Sequence, residues 1–331
     1  MPMTPSQFVS LLRKKKLLLP PISGYTDYPY RSILAHFSPP FMITEMAHAR
    51  AVTERNTKTM EILTKVEGRH KHGVQLFGSD PVVMAEAATV VEELGFDYID
   101  INMGCTVRKV ASRGAGVSLM ADEERASTIV SAITDAVALP VTCKLRLGVS
   151  RQKINVISFS KKMAEAGAVA LTIHGRSGEK KFGTPLDIKM IKDVAETVSV
   201  PIVANGGIYT GTDAYTMVEK TGAAAVMPGR GLIGNPWLIP EILYTFSSAR
   251  PTPPSLQEKK DVCLQHLDQL TDFYGERSGV LKMRSILPHY FSSCRFLKQL
   301  KTESHTVKNP LDISLLLDCI RETPQGIIYK K

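Results

Sequence analysis

The chain has 331 residues, 44% of them hydrophobic and 22% charged, with a formal net charge of +9 at pH 7. This composition is typical of a globular protein and excludes a disordered chain, and because no run of about 18 apolar residues occurs, we predict no membrane span. The five cysteines include no C-x-x-C pair, which argues against zinc, iron–sulfur and disulfide frameworks and predicts a metal-free protein of the reducing cytoplasm. The basic balance favours an anionic partner.

Eight short apolar runs with the pattern of strands lie between residue 17 and about residue 246. They are residues 17–23, 41–46, 73–78, 98–104, 141–148, 170–176, 201–208 and 224–231. Eight segments of helical period alternate with them, among them 80–94, 122–137 and 186–198. Strand–helix alternation indicates parallel pairing, and eight units in about 230 residues predict a TIM (β/α)₈ barrel. The alternative, a doubly wound open sheet, is disfavoured because the first strand lacks G-x-G-x-x-G.

A proline-rich stretch after residue 246 predicts a boundary between two domains. We expect a catalytic barrel over residues 1–246, a linker over 247–255 and a small all-α domain over 256–331. Three helical stretches are predicted in that domain, at about 256–274, about 281–300 with a break at Pro288, and about 310–322.

The middle of this tail is strongly basic. Residues 277–302 contain six cations and no acid, and three aromatic residues are interleaved with them: Arg277, Lys282, Arg284, Arg295, Lys298, Lys301, Tyr290, Phe291 and Phe296. Cations neutralise phosphates and rings stack on bases, so this composition suits RNA. A solvated basic helix whose aromatic side chains pack inward is an equal alternative.

Polar residues collect at the ends of the predicted strands, where barrel enzymes place their reactive groups. In the fifth strand, Lys144 and Arg146 share one face, and two cations facing a barrel core call for an anionic ligand. The alternative is that both side chains extend to the rim. Glycine-rich loops follow strands seven and eight, at Asn205-Gly206-Gly207 and Gly229-Arg230-Gly231. Loops at these two positions usually bind phosphate in such barrels.

One thiol stands out because it follows a glycine at the end of a strand. Cys105 is followed by Arg108, Lys109 and Arg113 with no acid among them, whereas a lone buried cysteine is usually an inert small hydrophobe. His174, at the end of the sixth strand, is equally compatible with a supporting and a reactive role.

Taken in order, the motifs of residues 17–246 resemble those of the tRNA-dihydrouridine synthases, and most closely the bacterial B-type, NifR3-like branch. The resemblance is carried by Pro21-Ile22-Ser23-Gly24-Tyr25-Thr26-Asp27, Gln75-Leu76-Phe77-Gly78, Asp100-Ile101-Asn102-Met103-Gly104-Cys105, Lys144-Leu145-Arg146-Leu147-Gly148, Ile173-His174-Gly175-Arg176, Asn205-Gly206-Gly207, and Gly229-Arg230-Gly231 with Gly234-Asn235-Pro236-Trp237.

The resemblance implies that FMN binds in the barrel, that NADPH reduces it, and that the C5=C6 bond of uridine in tRNA is reduced. Flavin N5 would deliver a hydride to C6, and Cys105 would donate a proton to C5. Gln75 would hydrogen-bond the pyrimidine edge of the flavin, and Lys144 would stabilise negative charge near N1. The other implied cofactor contacts are Pro21, Ile22, Ser23, His174, Asn205, Gly206, Gly207, Gly229 and Arg230.

For the substrate, the resemblance implies a helical tail that grips tRNA and a uridine unstacked into the barrel mouth. Asn102 would orient the uracil amide, with a turn-stabilising role as the alternative. The remaining expected substrate contacts are Arg108, Lys109, Arg146, Arg176, Lys282 and Arg284. We expect a monomer.

The sequence departs from the family pattern at four places. Thr106 stands where proline is usual, Ile22-Ser23 replaces Met-Ala, and Arg284-Ser285-Ile286 replaces Arg-Lys-His. Cys143 is also unusual, but we expect it to point away from the pocket. Two other functions stay open at this point. One is an FMN barrel acting on a free small molecule, like the dihydroorotate and dihydropyrimidine dehydrogenases, which would not need the basic tail. The other is an RNA-binding protein that has lost catalysis, against which the intact set of cofactor motifs argues.

Overall fold

The computed structural model describes residues 3–179, 185–247 and 251–330. Its strands are β1 (Phe41–His48), β2 (Lys71–Phe77), β3 (Tyr98–Met103), β4 (Val141–Leu145), β5 (Gly148–Ser150), β6 (Lys153–Ile154), β7 (Ala170–His174), β8 (Ile202–Asn205), β9 (Ala225–Met227), β10 (Ile320–Thr323) and β11 (Gly326–Tyr329). Two 3₁₀ helices span Gly116–Ala121 and Arg230–Leu232. The α-helices are α1 (Pro5–Lys15), α2 (Tyr28–Ala35), α3 (Ala49–Thr53), α4 (Thr57–Ile62), α5 (Pro81–Glu93), α6 (Arg108–Ala111), α7 (Glu123–Ala136), α8 (Val156–Glu165), α9 (Ile188–Thr197), α10 (Gly211–Thr221), α11 (Leu238–Thr245), α12 (Leu256–Tyr274), α13 (Glu276–Tyr290), α14 (Leu297–Ser304) and α15 (Pro310–Asp318).

A parallel sheet forms the wall of the barrel, in the order β1-β2-β3-β4-β7-β8-β9. Residues 17–19 join its two edges: Leu18 donates its amide to the Val226 carbonyl at 3.0 Å, and Leu19 donates to the Phe41 carbonyl at 3.4 Å. This segment, the first of the eight predicted runs, supplies the wall with its remaining strand and closes the sheet into a ring. The predicted TIM barrel is confirmed, and the eight predicted runs coincide with its eight strands.

Helix α1 covers the N-terminal end of the barrel. Phe8 and Leu12 of this helix are fully buried among inward-facing residues at the starts of the strands. The Phe8 ring lies 4.8 Å from the Phe41 ring and 5.2 Å from the Tyr98 ring, between centroids. Because this end is filled by side chains, space for a ligand is left at the opposite end, where the strands terminate.

The tail has its own hydrophobic cluster, made by buried residues between Cys263 and Tyr329. Its helical character is confirmed, with α12 at the predicted bounds and α13 ending two residues after Pro288. The structure adds one element, the antiparallel hairpin β10–β11, so the tail is not all helical. Residues 248–250 of the predicted linker lie outside the described residues, and the proposed domain boundaries stay a prediction.

The tail packs on the rim of the barrel mouth. Tyr30 of α2 stacks on His266 at 4.9 Å between ring centroids. Asp27 forms an ion pair with Lys282, with 3.1 Å between oxygen and nitrogen. Gly234, in the loop after β9, lies so close to the backbone of Tyr290 that a Cβ there would be 2.7 Å from its amide nitrogen. The end of α13 is therefore placed beside two loops that border the mouth. Within the described residues, no helix combines the length and apolarity that a membrane crossing needs.

Candidate active site at the barrel mouth

The Cys105 thiol lies half-buried on a turn that directly follows β3. The Asn102 side-chain oxygen accepts hydrogen bonds from the amides of Cys105 at 2.9 Å and Gly104 at 3.2 Å. The Cys105 carbonyl accepts from the Val117 amide at 3.0 Å. Gly116 has φ +61°, and a Cβ there would stand 2.7 Å from the Cys105 carbonyl oxygen, so glycine is required for this close approach.

A chain of buried polar side chains lies beneath that turn. Asn102 Nδ2 donates to Gln75 Oε1 at 2.8 Å, and Gln75 Nε2 donates to Asp100 Oδ2 at 2.7 Å. The Thr142 hydroxyl donates to Asp100 Oδ1 at 2.6 Å. Burial raises the pKa of Asp100 to about 6, against the opposing effect of these two hydrogen bonds and of Lys144. The turn-stabilising role of Asn102 is thus realised; its contact with uracil, and that of Gln75 with a flavin, stay predictions.

Lys144 points into the barrel from β4, and Cys143 beside it is buried in the outer core. The Lys144 ammonium donates to Asn205 Oδ1 at 3.1 Å, and Asn205 Nδ2 donates to the Met227 carbonyl at 2.8 Å. Burial lowers the pKa of Lys144 to about 8, with a further contribution from Arg146. A mostly protonated ammonium therefore occupies the interior near neutral pH.

Arg146 is half-buried, and its side chain reaches two loops at the rim of the mouth. Its Nε donates to the Gly104 carbonyl at 2.7 Å, and its Nη1 donates to the Ser177 carbonyl at 3.0 Å. The guanidinium therefore joins the loop after β3 to the loop after β7, on the same turn that carries Cys105. Burial lowers the pKa of Arg146, but a guanidinium stays charged in proteins.

His174 is a neutral imidazole surrounded by cations. Burial lowers its pKa to about 2, and the charges of Lys144, Arg146, Arg176 and Arg230 act in the same direction. Arg176 donates to His174 Nε2 at 3.4 Å. Four positive side chains from β4, β7 and the loop after β9 therefore converge here, and they make the mouth an electropositive site suited to an anionic ligand.

The two glycine-rich loops lie directly against each other. Gly206 and Gly207 have φ +117° and +69°, conformations that side chains rarely adopt. A Cβ at Gly231 would lie 2.5 Å from the Ile208 carbonyl oxygen, whereas one at Gly229 would meet no atom within 4 Å. Open space at Gly229, followed in the chain by the exposed Arg230, leaves a cationic cradle beside the two loops, and its charge suits a phosphate. The residues present therefore fit a phosphorylated flavin.

The remaining predicted site residues occupy three places. The segment that closes the ring, residues 17–19, is followed by Pro21, Ile22 and Ser23. There the Ile22 amide donates to the Thr26 hydroxyl at 2.8 Å. Arg108 and Lys109 are exposed on α6. In the tail, Lys282 is paired with Asp27, and Arg284 donates from Nε to the Val307 carbonyl at 2.9 Å. Lys282 therefore joins the tail to the barrel, Arg284 holds the tail together, and the contact of both with RNA stays a prediction.

Sequence reasoning assigned no role to two carboxylates that the structure places at the site. Asp100 is the last member of the polar chain. Asp27 caps the start of α2, where it accepts a hydrogen bond from the Tyr30 amide. It also accepts hydrogen bonds from the Lys282 ammonium and the Tyr274 hydroxyl. For Asp100 a signal was available, because an acid inside an otherwise apolar strand has to be satisfied by buried donors. For Asp27 none was available, since its partners lie about 250 positions away.

The ring of parallel strands and its cationic mouth define a protein of the (β/α)₈-barrel class. The model of the family described as Dihydrouridine synthase (Dus) matches residues 18–322, and the chain belongs to that family. The predicted membership is confirmed, and so is a flavin as the cofactor class.

Proteins from several bacteria are similar along most of the chain. The probable tRNA-dihydrouridine synthase of Rickettsia bellii is 32% identical over 90% of this chain and 92% of its own length. That of Rhodobacter capsulatus is 35% identical over 85% and 87%, and tRNA-dihydrouridine synthase B of Pasteurella multocida is 36% identical over 80% of each chain.

Solved structures show the same fold at low sequence identity. Histamine dehydrogenase from Rhizobium sp. 4-9 superposes with a TM-score of 0.52 and 14% identity over 78% of this chain and 48% of that one. An amine oxidase from Pseudomonas geniculata N1 gives a TM-score of 0.56 and 10% identity over 80% of this chain and 52% of that one. The chain thus spans about half the length of these two proteins, and the likeness is one of fold.

Proposed function

We propose that this protein reduces the C5=C6 bond of uridines in tRNA, with FMN as its flavin and NADPH as the electron donor. One observation carries the proposal: the Cys105 thiol and the cationic cradle lie at the same mouth, with the Arg146 guanidinium attached to the turn that presents the thiol. The relatives named as tRNA-dihydrouridine synthases support the choice of substrate. Such a substrate places the protein in the cytoplasm.

The chemistry that FMN supplies when bound is transfer of a hydride to C6 of the uracil ring. Lys144 presents a desolvated positive charge to negative charge on the ligand, and in this low-dielectric interior its effect is larger than in water. The Cys105 thiol holds the proton that C5 has to receive. Asn102 and Arg146 hold the backbone that leads into that thiol, and the Val117 amide holds the Cys105 carbonyl, so the acid is placed before the substrate arrives.

The loops after β8 and β9 would hold the flavin phosphate. Backbone amides around Gly206 and Gly207 would supply donors, and Arg230 would supply an exposed positive charge. Arg176 and the neutral His174 lie between this cradle and Lys144 and complete the electropositive lining. These groups act by charge and hydrogen bonding, so they set affinity and orientation more than the rate of proton transfer.

The tail would bind the phosphate backbone of tRNA. Arg277, Arg295, Lys298 and Lys301 are exposed, and Phe296 is 56% exposed with the Arg295 guanidinium 5.7 Å from the ring centroid. A flat ring with an adjacent cation is the arrangement on which unpaired bases stack. Tyr290 and Phe291, by contrast, are buried in the tail core. These two rings therefore pack inward, as the alternative in the sequence analysis expects.

The proposal is tested by incubating the purified protein with NADPH and either tRNA from a strain lacking its gene or free uridine monophosphate. Dihydrouridine is then mapped by mass spectrometry. We expect a yellow protein that forms dihydrouridine at defined positions of tRNA and leaves the mononucleotide unchanged. Turnover of the free nucleotide alone would instead identify a small-molecule reductase, and a colourless protein that binds tRNA would identify an RNA-binding protein without catalysis.

A further inference from the structure

The polar chain beneath Cys105 has only one possible direction. A backbone amide can only donate, so the Asn102 atom that faces the amides of Gly104 and Cys105 has to be its oxygen. The Asn102 amino group then faces Gln75, and Gln75 has to present its own oxygen to it. The Gln75 amino group is thereby directed at residue 100, which has to accept. The order of donors and acceptors follows from the backbone amides alone.

Asp100 is the acceptor at which this chain ends. Its carboxyl group is fully buried, and among the described hydrogen bonds its donors are Gln75 at one oxygen and Thr142 at the other. Without an acceptor at position 100, the Gln75 amide loses one of the two contacts that hold its orientation, and its amino group is left buried without a partner. An inverted Gln75 would set its amino group against the amino group of Asn102, and the hold of Asn102 on the turn would be lost.

We propose that Asp100 is a positioning residue that fixes, through Gln75 and Asn102, the turn on which the Cys105 thiol is presented. Its importance for uridine reduction rests on the proposed function, whereas its effect on the turn does not. The carboxylate acts on the thiol through two intervening amides and needs no contact with substrate or cofactor.

Two substitutions of Asp100 distinguish the effect of its hydrogen-bond acceptor from the effect of its negative charge. Asp100→Asn keeps an oxygen for Gln75, while its amino group can donate to the Thr142 hydroxyl, which can in turn donate to the Ile99 carbonyl 3.4 Å away. Asp100→Leu removes both acceptors and keeps the branched shape of the side chain, with a larger methyl group in place of each oxygen. If the chain matters, Asn preserves the turn and Leu does not; if only negative charge near the thiol matters, the two variants behave alike.

The experiment measures the rate at which iodoacetamide alkylates Cys105 in the purified full-length protein without flavin, by peptide mass spectrometry. Cys319, a partly exposed thiol in the tail, is the reference in the same sample. We expect Asp100→Leu to raise the Cys105 rate about fivefold or more, as a lost buried hydrogen bond frees the turn, and Asp100→Asn to stay within about twofold of the native rate.

Asp97→Leu is the matched control. Asp97 precedes the same strand at its other end, where it accepts from the Lys71 ammonium and the His72 amide, and we expect no change at Cys105. An unchanged rate in Asp100→Leu, or equal rates in the Leu and Asn variants, would overturn the proposal. If circular dichroism shows that Asp100→Leu is unfolded, Asn102→Asp replaces it, because this change keeps the acceptor for the turn and removes the donor to Gln75. A native alkylation rate in Asn102→Asp would likewise overturn it.

Turnover supplies a second readout. In the flavin-loaded enzyme we expect Asp100→Leu to lower kcat for dihydrouridine formation about tenfold with little change in KM for tRNA, and Asp100→Asn to restore it. A native protein that forms no dihydrouridine would refute the proposed function and leave the alkylation comparison intact.

Discussion

The barrel mouth and the tail use their cations in different ways. At the mouth, Lys144 and Arg146 are half-buried, and they bind β8, which lies two strands away, and the neighbouring loops. In the tail, Lys298 and Lys301 are exposed, whereas Lys282 is joined to Asp27 at the junction with the barrel. Strand alternation dictates which way a side chain of the barrel points, but the partner of a helix cation depends on which distant element packs beside it. The mouth is therefore easier to predict from sequence than the tail.

Among substitutions that test this contrast between the mouth and the tail, we expect the largest loss of activity at Cys105. Cys105→Ala should lower dihydrouridine formation about 1,000-fold, because the proton for C5 loses its donor, while flavin binding is retained. The measurement is mass spectrometry of tRNA together with the visible absorption of the bound flavin. Cys319→Ala is the control, and full turnover by Cys105→Ala would show that the acid lies elsewhere.

At Lys144 we expect a loss that depends on pH. The charged ammonium is present below its pKa of about 8, so the rate of dihydrouridine formation should fall as pH rises through that value. Lys144→Met should lower the rate about 100-fold at pH 7, as expected for a desolvated charge that stabilises developing negative charge. Lys144→Arg, charged throughout, should remove the decline near pH 8; a decline that persists in this variant would belong to another group.

The phosphate cradle can be tested by comparing two flavins. Arg230→Ala should weaken FMN binding about tenfold, the size of a lost charge-assisted hydrogen bond, and leave riboflavin binding unchanged because riboflavin has no phosphate. Fluorescence titration measures both. Equal losses for the two flavins would place the role of Arg230 away from the phosphate.

In the tail, Phe296 is the exposed ring that can stack on a base. Phe296→Ala should weaken tRNA binding about tenfold, within the range known for one stacked base, and Phe296→Trp should restore it. Tyr215→Ala removes a similarly exposed ring, 47% accessible, from α10 of the barrel and should have no effect. A loss at Tyr215 equal to that at Phe296 would contradict a specific platform in the tail.

The smallest effects separate the two kinds of tail cation. Lys282→Met should lower the free energy of unfolding by about 1–3 kcal/mol, because it removes the ionic partner of the buried Asp27 carboxylate. Lys298→Met should leave stability within about 0.5 kcal/mol and reduce the salt dependence of tRNA binding by about one phosphate contact. Chemical denaturation and binding titrations at several salt concentrations measure these effects. If both variants changed only RNA binding, the structural role of Lys282 would be wrong.

Much of the fold was predictable because its signals are local. An apolar run indicates each strand. The alternation of side chains between the two faces of a strand is enough to direct polar residues near its end, such as Lys144 and Asn205, towards the mouth. Contacts between distant parts of the chain left no such signal. A turn-stabilising role for Asn102 was open from the sequence, but its contact with Gln75 was not. The sequence around Arg284 likewise gives no indication that this side chain binds the Val307 carbonyl. The hairpin after α15 was missed because its two strands are only four residues each.

The closure of the ring at residues 17–19 has a consequence for how the protein is made. The partner of this segment at Val226 leaves the ribosome about 200 residues later, which corresponds to about 10–40 s at about 5–20 residues per second. For that interval the nascent barrel exposes two unpaired edges, at the first segment and at the most recently emerged strand, and both can pair with other chains. The last strand of the ring completes the wall and removes both edges at once. Ribosome-associated chaperones are therefore most needed just before residue 226 emerges.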